Sequence, residues 1–89
     1  DKLSWKDKYA LSLNENISIK DIMHLLDCGQ PKATAIRKET IRFCERNEII
    51  RTGNKVPTDI VLRLVGKSRD DFYQRMIDER KLENDNDRS

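Results

Sequence analysis

SIKDIMHLLDCGQPKATAIRKETIRF, Ser18 to Phe43, followed closely by EIIRTGNKVP, Glu48 to Pro57, is the stretch whose pattern decides the fold. Ser18 and Asp21 stand three apart like a capping box, with Asp in place of Glu. Ile19, Ile22, Met23, Leu25 and Leu26 then give one apolar stripe at helical spacing. Asp27-Cys28-Gly29 must end that helix, with Gly29 taking the left-handed backbone of a tight turn. Pro31 suits the first turn of a second helix, which puts Gln30 at its cap. This helix is predicted to reach about Cys44 or Arg46. Ala33, Ile36, Thr40, Phe43 and Cys44 lie on one side, and Thr34, Lys38, Arg42 and Glu45 on the other. Gln30 falls near the leading edge of the polar side, Lys32 and Arg37 fall on its flanks, and Ile41 lies off both stripes. Glu48–Arg51, Thr52–Asn54 and Lys55–Pro57 then predict strand, turn and strand, since Gly and Asn accept the positive φ of a hairpin turn.

Two helices, a tight turn and a hairpin make the layout of a winged helix–turn–helix, in a mainly α chain with one small β-hairpin. That scaffold offers its second helix to the major groove of double-stranded DNA. The predicted recognition-helix contacts are Gln30, Lys32, Thr34, Arg37, Lys38 and Arg42. Gln pairs with adenine, Lys and Arg favour guanine edges or phosphates, and the flanking Lys32 and Arg37 suit phosphates that fix register. Arg51, Asn54 and Lys55 surround the hairpin tip, where positive charge favours an adjacent minor groove or backbone.

The charge distribution points the same way. The chain of 89 residues carries a net +2. Residues 30–57 hold seven basic groups against three acidic, a local excess of +4, while residues 1–29 and 58–89 are each at −1. A polyanion is drawn first to the second helix and the hairpin.

Outward from this stretch, residues 1–17 form a lead-in that packs its aromatics on the core. Trp5 and Tyr9 share a helical face, the alternation at Leu11 and Leu13 predicts extended chain, and Asn14-Glu15-Asn16 predicts a turn. The winged unit itself spans residues 18–66. Within it Thr58 caps a third helix with Ile60, Val61, Leu64 and Val65 as its buried face, closed by Gly66. Ser68 and Asp71 cap a fourth helix from Arg69 to about Leu82, within a C-terminal segment of residues 67–83. Phe72, Tyr73, Met76 and Ile77 form a short apolar stripe, with Phe72 and Met76 read as core positions and an exposed contact with a protein partner or a second copy as the alternative. Residues 84–89 are polar and charged and predict a disordered tail.

Composition narrows the function classes. An apolar fraction of 36% against 38% charged allows one small, thin core and no membrane span. Two cysteines and one histidine offer no metal-ligand cluster, and no nucleophile stands beside a usable base. His24 fits an exposed or core-edge position, and Asp70-Asp71 complement the dipole at a helix start. The expectation is therefore a non-enzymatic protein without cofactor or metal, intracellular with reduced thiols.

A resemblance sharpens the function expected. Trp5–Ser12, WKDKYALS, resembles the W..Y-L-T/S lead-in of the small excisionases of conjugative transposons and related mobile elements. Ser18 to Ala33 is similar to their T-x-x-E-A helix, turn and recognition-helix opening, and Gly53-Asn54-Lys55 matches the G-N-R/K of their hairpin tip. The likeness covers about residues 3–66. It departs at Asn14–Ser18, which resembles an insertion, and at Met23, where a small Ala is usual. The resemblance implies a recombination directionality factor of the bacterial cytoplasm, associated with the nucleoid. Several copies would bind near the ends of an integrated element, associate on DNA and bend it, so that a tyrosine recombinase (integrase) assembles for excision. A small transcriptional regulator of a phage or mobile element would use the same DNA-facing residues. A protein–protein adaptor on this scaffold, by contrast, would keep its activity when Lys38 and Arg42 are both changed to Glu.

Overall fold

The hydroxyl of Ser4 accepts the Asp7 amide at 3.1 Å and opens the first helix. The computed structural model describes residues 2–87. Their order is α1 (Trp5–Ser12), β1 (Asn16–Ile17), α2 (Ile19–Leu26), α3 (Gln30–Arg46), β2 (Val56–Pro57), α4 (Thr58–Leu64) and α5 (Arg69–Asp87). The chain is mainly helical, with one two-stranded antiparallel sheet. The lead-in is thus helical where extended chain was predicted at Leu11 and Leu13. Leu11 packs against the core, while Leu13 sits just past the helix end, 54% exposed, so their spacing reflects a helix terminus and not a strand.

The capping box at α2 is present in full. The Ser18 hydroxyl accepts the Asp21 amide at 3.2 Å, and Asp21 Oδ2 accepts the Ser18 amide at 3.0 Å. Ile22 and Leu25 are buried on this helix, with Ile19, Met23 and Leu26 packed around them. The turn to α3 differs from expectation. Asp27, not Gly29, takes the left-handed backbone, at φ 50°, and Gly29 is the extended N-cap of α3 at φ −79°. Gln30 is therefore the first residue of α3 and not its cap. The left-handed Asp27 closes α2 locally, its own amide and that of Cys28 both donating to the Met23 carbonyl, while its carboxylate meets Lys8 Nζ on α1 at 2.5 Å.

The predicted hairpin is not formed. Glu48 takes a left-handed conformation at φ 55°, and the Ile49 amide donates to the Cys44 carbonyl at 2.8 Å, closing the end of α3. That amide is turned back on the helix, and Glu48–Arg51 does not pair with Lys55–Pro57 but runs as turn and loop. The partner of β2 is β1 instead, with Ile17 opposite Val56 and Asn16 opposite Pro57. Ile17 and Val56 are both fully buried, so their pairing joins the lead-in to the core directly. Asn16, expected in a turn, is a strand residue.

α4 begins at Thr58 with Pro57 at its N-cap, so Thr58 does not cap it. Its buried face is Thr58, Val61 and Leu62, rotated from the predicted one, and Leu64 is 42% exposed. The buried Thr58 fixes this rotation, since residues 58, 61 and 62 share one side of a helix. Gly66, at φ 71°, ends the segment. At α5 the Ser68 hydroxyl accepts the Asp71 amide at 3.3 Å and Asp71 Oδ2 accepts the Ser68 amide at 2.8 Å. α5 runs past Leu82 to Asp87, so residues 84–87 are helical where a disordered tail was predicted; residues 88–89 lie outside the described residues.

One core unites these elements. Ile17, Ile22, Leu25, Ala33, Val56, Val61, Leu62 and Phe72 form its buried cluster. α1 lies on α5, with the Trp5 ring 6.2 Å from Phe72 and Tyr9 edge-on to Tyr73 at 5.4 Å. Of the two core positions predicted on α5, Phe72 is buried in the cluster, whereas Met76 is half-buried outside it; Ile41 also packs against the cluster. Arg69 ties three elements: its Nε donates to the Ser12 carbonyl at 2.6 Å, and its Nη1 pairs with Asp59.

Candidate nucleic-acid interface

α3 is 17 residues long and buries Ala33, Thr40 and Cys44, with Ile36, Ile41 and Phe43 partly covered beside them. The opposite side is open. Gln30, Lys32, Thr34, Lys38 and Arg42 are all exposed, which places five of the six predicted recognition-helix residues on the surface. Gln30 and Lys38 are separated by about 12 Å along the axis at 1.5 Å per residue. The first turn carries no acidic residue and no side-chain cap, so its amides and the positive end of the dipole are left beside Gln30 and Lys32.

Arg37 behaves differently from the others. It is half-buried, and its Nε and Nη2 both donate to the Asn54 carbonyl, at 3.3 and 3.1 Å. The sequence pattern placed Arg37 and Asn54 in separate contact sets, and the structure joins them. Arg37 braces the loop between α3 and β2 against the helix that precedes it. Arg51 adds a brace within the loop, its Nη1 donating to the Lys55 carbonyl at 3.4 Å. The loop thus holds Arg51, Asn54 and Lys55 together as predicted, but as a braced loop and not as the tip of a hairpin. Gly53 turns it at φ 69°.

Arg42 forms an ion pair with Glu39 at 2.8 Å, and both side chains are more than half exposed. Such a pair contributes little in water and exchanges readily for a phosphate partner. Lys32 and Lys38 form no ion pair among the described residues.

Two contributors were not legible in the residue pattern. Lys8 is buried between the Trp5 ring, 4.2 Å from its centroid, and Asp27 in the α2–α3 turn. It binds the turn that leads into α3. A Trp three residues before a Lys was the available signal, since that spacing stacks the two on a helix. The second is Ile50, which is 92% exposed in the braced loop and was taken for a strand residue.

Among the described residues no group of three or more His, Cys, Asp or Glu side chains is placed to hold a metal ion. No helix among the described residues is long and apolar enough to cross a membrane. No protein-family model, curated protein or solved structure matches this chain.

Proposed function

We propose that this chain is a winged helix–turn–helix protein that binds double-stranded DNA without breaking a bond in it. α2 and α3 are the helix–turn–helix, and the loop from Glu48 to Lys55 is the wing. The observation that carries this reading is the exposed row Gln30, Thr34, Lys38 and Arg42 on α3, beside a cationic loop that Arg37 fixes to the same helix. Gln30, Thr34 and Lys38 read base edges in the major groove. Lys32, Arg42 and the loop cations Arg51 and Lys55 hold phosphates, and Arg37 contributes mainly by positioning the loop.

The more particular role proposed is that of an excisionase-like factor. It rests on the resemblance of Trp5–Ser12, Ser18–Ala33 and Gly53-Asn54-Lys55 to the small excisionases of mobile elements. In that role several copies bind side by side near an element's ends and bend the duplex for a tyrosine recombinase. A bend of 40–90° over a short site costs roughly 1–6 kcal/mol, which binding by more than one copy offsets.

Selection of bound duplexes from a random-sequence pool, repeated across a salt series, tests the first step. A defined sequence should emerge, and log K should fall with log salt at about −0.9 per phosphate held, a slope of roughly −3.6 for the four cations assigned to phosphates. Lys38→Glu should reduce discrimination between selected and random duplex more than Arg51→Ala does. Equal losses on every sequence from both variants would remove α3 from the recognition role. Footprinting then assigns the particular role, since protection at recombination ends supports excision and protection confined to promoters supports a regulator.

A further inference from the structure

Ile50 is the most open large apolar side chain among the described residues. It stands in a loop held at three points. The Ile49 amide is bonded to Cys44 at 2.8 Å, Arg37 grips the Asn54 carbonyl, and β2 fixes the far end in the sheet. A single apolar residue on a surface ordinarily needs no explanation. A β-branched side chain held outward by a braced loop is a different case, because its position relative to α3 is set before any partner arrives. Its surroundings are cationic: residues 46–55 carry Arg46, Arg51 and Lys55 against the single acid Glu48. At Gly53 an added Cβ would meet no heavy atom within 4 Å, so the loop turn offers bare backbone to whatever approaches.

We infer that Ile50 is an apolar wedge that enters the minor groove next to the α3 site and parts a base step. The inference rests on the DNA-binding reading above. Charge complementarity chooses the occupant: the cations beside Ile50 favour a phosphate-lined groove over an apolar protein surface. Aliphatic side chains inserted between stacked bases unstack them and kink the duplex toward the major groove. Arg51 and Lys55, on the same loop, would hold the phosphates on either side. The wedge also adds sequence preference without a base hydrogen bond, because pyrimidine–purine steps unstack most easily.

The test uses the duplex that the unaltered protein selects, with 2-aminopurine placed in turn at each step flanking the α3 footprint. Unaltered protein should brighten the probe at one step and raise the ring-closure rate of a duplex shorter than the persistence length of about 150 base pairs. Ile50→Ala should leave the melting temperature unchanged, bind about five- to thirtyfold more weakly, and lose both the brightening and the ring closure. Ile50→Phe should retain both. The wedge is overturned if Ile50→Ala keeps both signals, if the unaltered protein binds yet gives neither, or if the variant changes only the sedimentation of the free protein. In each of those results the DNA-binding reading stands. If the unaltered protein binds no duplex even at low salt, that reading fails and the wedge fails with it.

Discussion

Replacing one partner of the Lys8–Asp27 pair should destabilise the chain far more than replacing the other. Lys8 Nζ lies 2.5 Å from Asp27 Oδ2, with the Lys8 side chain 4% exposed and the Asp27 side chain 31% exposed. Asp27→Asn keeps the shape and tolerates the left-handed backbone, but it leaves a buried ammonium facing a neutral amide. Losing one partner of a fully buried pair costs about 3–5 kcal/mol. Partial exposure of Asp27 and the Trp5 ring beside Lys8 reduce this to about 2 kcal/mol. Lys8→Met removes the ammonium and keeps an unbranched stem against Trp5, leaving a carboxylate that water already reaches; about 1 kcal/mol or less is expected. The double variant should then resemble Lys8→Met alone, with a coupling of about 1–2 kcal/mol. Urea unfolding of the four proteins, followed by the fluorescence of the single tryptophan, Trp5, measures all of these at the site itself. A loss from Lys8→Met that equals or exceeds the loss from Asp27→Asn would refute the buried-charge reasoning, and so would a coupling below about 0.5 kcal/mol.

Three other substitutions probe separate features. The Thr58 hydroxyl is buried without a hydrogen-bond partner, so Thr58→Val should be neutral or stabilise by about 1 kcal/mol in thermal melts; a clear loss would show that the hydroxyl is bonded. Glu48 sits at φ 55°, and Glu48→Gly should raise stability by about 0.5–1 kcal/mol while Glu48→Ala does not, an order that melting temperatures would reverse if the backbone were unstrained. Arg37→Ala should free the loop, seen as faster amide exchange from Ile50 to Lys55 and weaker DNA binding. Arg37→Lys should not rescue it, because a single ammonium nitrogen lacks the planar fork that brings Nε and Nη2 together onto the Asn54 carbonyl; full rescue would mean that charge alone matters.

What was legible in the sequence follows from how far each signal extends. The capping boxes at Ser18/Asp21 and Ser68/Asp71 are complete within four residues, and both form as read. The apolar stripe of α2 and the exposed row of α3 repeat over several turns, enough for a period of 3.6 to declare itself. The strands are two residues each, too short for any alternation to show. Ile49-Ile50 offered a stronger local strand signal than Asn16–Ile17, yet the Ile49 amide is taken by Cys44 and the shorter segment pairs. Gly29 was the natural residue for positive φ, yet Asp27 takes it, and its carboxylate meets a lysine 19 residues earlier in the chain. A contact across that separation leaves no trace in local spacing.

The same contacts alter what the Ser18–Pro57 stretch means. Its sequence resembles a self-contained DNA-binding unit, yet two of its features are tied to residues outside it. Lys8 binds Asp27 in the α2–α3 turn, and Ile17 pairs with Val56 at the end of the loop. The loop in turn answers to α3 through Arg37. α3 and the loop therefore stand in a relation fixed by Arg37 and by the β1–β2 pairing, not by a hairpin of their own. In the DNA-binding role proposed above, helix and loop would act together as one preformed surface. The loop braces should accordingly bear on where a duplex is gripped.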